Sequence, residues 1–254
     1  MKKHLFLFCL VSLLFSCNES DDSSTGNPPN QEVLILSKIE SVVSVNSNET
    51  SDIIEFNYDS DNKLINYDYQ SLDWPSFSTD LIYSNNQLTE LGEYSVSYDE
   101  NLIILLSTTR KEEYFLENER VVKYKWYLFD TNSSTFNLIV TNEFTFDADF
   151  ENVIKSEQFD SNGELFIYSD FEYDNNINPF SNFHDVINIH ENSFATPLNS
   201  KNNPIRRKDY QRVTNFSNES VANYNFSYND SNYPIHLSYN YGTINLERDF
   251  IYLE

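Results

Sequence analysis

His184, His190 and His236 are the imidazoles that follow the N-terminal segment, and their spacing does not suit joint work. His184 and His190 are six residues apart, so on a helix they face different sides, and no metal pair is expected. Asp59-x-Asp61 and Asp147-x-Asp149 begin like calcium loops but lack the glycine and the distal glutamate, so Asx turns are the expectation. A Ser-His-Asp arrangement has raw material here but no nucleophile-elbow motif. Paired carboxylates for glycoside hydrolysis obey no sequence spacing. With 40 acidic side chains, most of them at alternating or turn positions, any one pair reads first as solvated surface. Two features stand out as ligand contacts. Arg206, Arg207 and Lys208, with Lys201 and Arg212 nearby, gather five of the 16 basic residues, either to dock an anionic glycan or partner or to offset neighbouring carboxylates. Trp74, before Pro75 in an expected loop, could stack on a sugar ring, whereas Trp126 falls inside a strand-like run and is expected in the core.

Cys17 is the other group with chemistry. Lys2-Lys3, an apolar run from Leu5 to Phe15 and the small Ser16 make an export signal too short to span a bilayer. Leu14-Phe15-Ser16-Cys17 resembles a bacterial lipobox, with Phe15 bulkier than the usual occupant of its place. That resemblance implies that Cys17 is lipidated and begins the mature chain. Residues 1–16 are then the signal peptide, 17–31 a flexible acidic tether with Gly26 and Pro28-Pro29, and 32–254 a single antiparallel β domain. Cys9 leaves with the signal, so disulfides, thiolate metal sites and cysteine nucleophiles are not expected.

The net charge of −24 repels phosphate backbones and anionic headgroups. Nucleic acid is therefore not an expected partner, and contact with the membrane falls to the lipid anchor. With only 4 glycines, no phosphate cradle or dinucleotide fingerprint can be built, and no cofactor or metal is expected.

The elements that must carry these groups read as strands. Ile54, Phe56 and Tyr58 alternate with Glu55, Asn57 and Asp59; Phe144 and Phe146 with Glu143, Thr145 and Asp147; Phe171 and Tyr173 with Asp170, Glu172 and Asp174. One apolar and one charged face per strand is the period-two pattern of a half-buried sheet. Asn- and Asp-rich clusters such as Asp59-Ser60-Asp61-Asn62 and Asn229-Asp230-Ser231-Asn232 separate the runs, and asparagine takes the positive-φ turn positions that glycine would otherwise fill. The unit aromatic-x-aromatic, Asp or Asn, polar residues, then an aliphatic recurs from Phe56, Phe144 and Phe226. The fold class is all-β: an antiparallel hairpin meander, as a curled sheet or closed barrel. Phe183, Val186, Ile187 and His190 predict one short helix near 182–191 capped by Ser181, and residues 192–212, with Pro197 and Pro204, predict a long loop.

These hairpin units resemble the tyrosine–aspartate repeats of large secreted bacterial shell proteins. The whole mature chain is similar to Bacteroidota-type lipoproteins with a porin-like β domain of unknown function. The residues that carry this are Cys17 with Glu19-Asp21-Asp22, the hairpin copies, and Tyr173-Asp174 followed by Asn178-Pro179-Phe180. The resemblance implies a meander or barrel displayed on the outer face of the cell and brings no catalytic residues. The leading expectation is a lipid-anchored, non-catalytic outer-membrane or cell-surface module that binds a glycan, peptide or envelope protein. The alternatives are an extracellular glycan hydrolase using paired carboxylates and a purely structural element. A membrane-spanning barrel is disfavoured, because charge on the second face suits water.

Overall fold

The computed structural model describes residues 34–45, 48–181, 183, 187, 190, 200–217 and 219–253. The signal, the tether and Cys17 lie outside the described residues. Sixteen antiparallel strands close into a barrel in which nearly every strand pairs with its sequence neighbours. They are β1 (Leu36–Val45), β2 (Asn48–Tyr58), β3 (Leu64–Ser71), β4 (Phe77–Ser84), β5 (Gln87–Leu91), β6 (Tyr94–Asp99), β7 (Leu102–Leu106), β8 (Arg110–Glu117), β9 (Arg120–Asp130), β10 (Thr135–Phe146), β11 (Val153–Asp160), β12 (Leu165–Ile177), β13 (Asn202–Gln211), β14 (Glu219–Tyr228), β15 (Pro234–Tyr241) and β16 (Ile244–Tyr252). β1 closes the barrel against β16, pairing Ile39 with Phe250, so the ladder presents no free edge.

The predicted alternation sets which face is inside. Ile54 and Phe56 are buried, as are Ile39, Tyr67, Leu91, Leu105, Tyr114 and Phe250, and all point into the barrel. The intervening residues form an outer wall that mixes charged side chains with exposed aliphatics such as Ile65, Ile82, Ile154 and Ile251. It carries Lys38 beside Glu40 (2.7 Å), Lys111 beside Glu113 (2.7 Å), Lys123 opposite Glu143 (2.7 Å) and Lys155 beside Glu157 (2.7 Å). Exposed pairs of this kind contribute only about 0.2–1 kcal/mol each, so their meaning lies in location. A barrel wall facing lipid is apolar, and a Lys or Arg at its midplane costs about 2–4 kcal/mol.

The turns follow the expected chemistry. Asp59 Oδ1 accepts the N–H groups of Asp61 and Lys63, both at 2.9 Å. Asp160 Oδ1 does the same for Asn162 (2.9 Å) and Glu164 (3.0 Å), and Asn229 Oδ1 for Ser231 and Tyr233 (3.0 Å each). The residue three places after each acceptor has positive φ: Asn62 at 61°, Gly163 at 78° and Asn232 at 64°. The carboxylate of Asp59 is thus spent on its own backbone rather than held out for a cation.

One expectation needs correction. The long loop over 192–212 ends early, because Asn202–Gln211 is strand β13, paired on both sides. Pro204 is tolerated because it sits opposite Tyr173 between two register shifts, where a missing N–H breaks no regular ladder. The amides of Asn202 and Asn203 fill in by donating to the carbonyls of Asn176 (3.0 Å) and Ile177 (2.9 Å). Of the predicted helix, only Phe183, Ile187 and His190 are described, with helical backbone at the last two; the remainder, His184 included, lies outside the described residues.

Those described residues show where the β12–β13 connection goes. Phe180 meets Phe250 of β16 edge-on (6.3 Å between centroids), and Phe183 meets Phe56 of β2 (5.3 Å). Ile187 is fully enclosed, and His190 packs edge-on against Tyr94 of β6 (4.7 Å). All of these partners are inward-facing, so Phe180, Phe183, Ile187 and His190 lie on the lumen side of the wall. Phe180 and Ile187 thereby join the hydrophobic core.

Strand direction gives the barrel two distinct ends. β1 starts and β16 finishes at one end, where the Leu253 N–H bonds the Ile35 carbonyl (2.8 Å). This entry end also holds the turn at 59–63, the turn at 229–233 and the β12–β13 connection. The far end holds the links at 72–76, 131–134, 161–164 and the Arg212–Thr214 turn.

Candidate binding site in the barrel lumen

The far half of the lumen holds a cavity of about 750 Å³. Cross-strand register explains its lining, because residues directly opposed in a ladder share a face. One row runs Tyr124, Asn142, Gln158, Ile167, Gln211 across β9 to β13. The row beside it runs Glu112, Trp126, Val140, Asp160 across β8 to β11. Phe166, Ile139 and Val213 complete the apolar part, and Val213 stands 87% exposed in the mouth. Trp126 was expected in the core. Instead it is half-buried and lines this cavity, because its position in β9 falls where the lumen is not filled. Arg110 lies over its ring, with the guanidinium 5.9 Å from the ring centre.

Asp160 is the one carboxylate on the cavity lining among the described residues. It is already engaged by the backbone N–H of Glu164 and Asn162 and by Arg212 Nη2 at 3.0 Å, and these bonds hold its carboxyl below the usual range. Hydrolysis by paired carboxylates needs a second carboxylate facing the first across a substrate. Among the described residues the lining does not supply it.

A buried polar cluster sits next to the cavity, and the sequence reading missed it. Glu112, 3% exposed, accepts from the Tyr114 hydroxyl and lies 2.9 Å from His190 Nδ1. Burial pushes the Tyr114 hydroxyl well above its ordinary range, so it donates as a neutral phenol. The available signal was phase: in Arg110-x-Glu112-x-Tyr114, a carboxylate occupies the same face as a buried tyrosine.

The predicted contact residues are not brought together. Trp74 is 70% exposed at the far end, in the link between β3 and β4, away from the arc that lines the cavity. Arg206 and Lys208 point outward toward Glu172 (3.4 Å) and Glu219 (3.6 Å), while Arg207 points inward to Asp209 (2.6 Å). Lys201 pairs with Glu151 (2.6 Å) and Arg212 with Glu164 (2.8 Å), so each of the five basic residues offsets a carboxylate. A second cavity of about 720 Å³ opens where β13 and β14 splay beyond Arg206 and Asn223; it is lined by Asn176, Asn223, Asn225 and Asp174, whose carboxylate accepts from the Tyr228 hydroxyl.

Among solved structures, the chain is similar to a porin-like protein from Bacteroides uniformis ATCC 8492, at 9% identity over 86% of this chain and 98% of that one, with a TM-score of 0.44. It is also similar to a porin-like protein from Bacteroides vulgatus ATCC 8482, at 11% identity over 87% of this chain and 99% of that one, with a TM-score of 0.45. No protein-family model and no curated protein matches the chain.

Proposed function

We propose that this chain is a lipid-anchored envelope protein whose water-exposed barrel is a non-catalytic binding module, presenting the lumen cavity at the end away from the membrane. The observation that carries the reading is the sidedness of the barrel. The Lys–Glu pairs lie on the outer face, the buried aromatic and aliphatic residues lie inside, and the remaining lumen opens at the end opposite the one where the chain enters. With Cys17 acylated, the tether reaches the barrel at its entry end. A flexible segment of this length has an r.m.s. reach of roughly 20 Å, enough to lift the domain while keeping the entry end nearest the bilayer. The acyl chains, at ~0.8 kcal/mol per buried methylene, supply the attachment that the charged wall does not. Outer-membrane placement with display on the cell surface follows from the acidic residues after Cys17.

The mature chain offers no free thiol once Cys17 is acylated, so single cysteines can report orientation. A fluorophore on Asp61→Cys, at the entry end, is expected to be quenched by headgroup-labelled lipid in vesicles carrying the mature lipoprotein. One on Asn132→Cys, at the far end, is expected to be spared. Equal quenching at both sites would overturn the orientation.

A further inference from the structure

The cavity has a chemistry of its own, and the inference drawn from it rests on the binding-module reading. Three primary amides, Asn142, Gln158 and Gln211, stand in one cross-strand row on its wall. Strand spacing of about 4.8 Å puts Asn142 and Gln158 side by side and Gln211 two strands further on. No hydrogen bond ties these three amide side chains to another described residue. Each offers both a donor and an acceptor to whatever enters. Along the neighbouring row Trp126 presents a half-buried indole with the Arg110 guanidinium 5.9 Å from its centre.

Charge narrows the class. Among the described residues, the cation on the lining, Arg212, is paired with Asp160. An anionic ligand would also meet the field of a protein at −24. A cationic one would find Asp160 and Glu112 already engaged by Arg212 and by Tyr114 and His190. A wholly apolar ligand would strip water from three amides without replacing their bonds, at about 1–3 kcal/mol for each group left unsatisfied. A ligand with an apolar face and a rim of uncharged donors and acceptors meets none of these penalties.

We propose that the lumen cavity binds a neutral saccharide, whose ring stacks on Trp126 while its hydroxyls exchange hydrogen bonds with Asn142, Gln158 and Gln211. Trp126 is the platform, and the amide row reads the spacing of the hydroxyls.

The test uses the full mature lipoprotein in detergent micelles, with Trp74→Phe so that Trp126 alone emits. The probes are short neutral gluco-, manno- and xylo-oligosaccharides, oligogalacturonate and laurate. At least one neutral series is expected to shift the Trp126 emission saturably, with oligogalacturonate and laurate inert. By calorimetry, Trp126→Ala and Gln158→Leu are each expected to weaken that binding about tenfold with an unchanged far-UV spectrum. Asn142→Leu is a second probe of the row, should either variant fail to fold. Tighter binding of oligogalacturonate, or binding of laurate alone, overturns the saccharide assignment and leaves the module reading standing. No binding by any probe, with Trp126 still quenched by acrylamide, overturns the assignment likewise. Trp126 sealed from acrylamide would mean a closed lumen, and then both readings fall.

Discussion

Glu112 Oε2 lies 2.9 Å from His190 Nδ1, which joins strand β8 to a residue of the β12–β13 connection seventy-eight positions later. The same carboxylate accepts from Tyr114, so one buried group holds both the wall and the filling of the barrel. Glu112→Ala leaves a phenol and an imidazole without their acceptor in the interior. Breaking a buried pair in this way costs about 3–5 kcal/mol. Denaturant unfolding of Glu112→Ala is expected to show a loss of that size, and Glu112→Gln a smaller one because an amide still accepts. A loss below about 0.5 kcal/mol for the alanine variant, within the range of ordinary surface changes, would mean that the contact does not hold the connection in place.

His236 on the outer wall has its two ring nitrogens against Asp249 (2.7 Å) and Glu247 (2.9 Å). The hydrogen bond to Asp249, then that to Glu247, raises its pKa above the ordinary 6.5 against a smaller opposing effect of burial. Since the folded value is the higher one, its contribution to stability is complete below pH ~6.5 and fades as pH rises through the folded pKa. NMR titration is expected to show the raised value, and Asp249→Asn to bring it down. An unchanged midpoint in that variant would contradict the clasp.

The turn residues give a sign test. Asn62 holds φ at 61° between Asp59 and Lys63. Asn62→Ala is expected to cost about 1 kcal/mol, because a Cβ without a polar handle is disfavoured there, while Asn62→Gly should be close to neutral. Thermal unfolding of the two variants reads the difference. Equal costs would place the strain elsewhere.

Arg248 is fully enclosed on the inner face of β16, with its Nε donating to Ser41 Oγ at 3.0 Å. Burial pulls its pKa down to about 10, against the attraction of Asp52. Arg248→Ala removes this packing and leaves the Asp52 carboxylate without that cation, so a loss of about 3 kcal/mol is expected by denaturant unfolding. Arg248→Met, which keeps most of the volume, should lose clearly less if packing is the larger part. Equal losses would assign the effect to charge.

The fold was legible where one physical preference acted alone. The alternation at Ile54-Phe56 and Phe144-Phe146 marked strands, and the Asp59 and Asn229 clusters marked turns, because burial period and turn chemistry are both local. Strand number and closure were not legible, since they depend on which hairpins find each other and on register shifts such as the one between Thr145 and Phe146. Strand β13 was hidden by Pro204 and its asparagines, which read as loop until the bulge opposite Tyr173 made room for them. The cavity was hidden for a related reason. Trp126 and Asn142 share a face with core residues, and only the three-dimensional filling of the lumen decides which inward positions stay open. Of the predicted contacts, the five basic residues each stand against a carboxylate.

Membrane partition of the full-length protein and its Cys17→Ala variant is the most direct test of a water-facing barrel held by lipid alone. After an alkaline carbonate wash, the wild type is expected in the membrane pellet and the variant in the supernatant. A Cys17→Ala protein that stays in the pellet and leaves only with detergent would mean that the barrel wall itself resides in lipid, which is incompatible with the charges on its outer face.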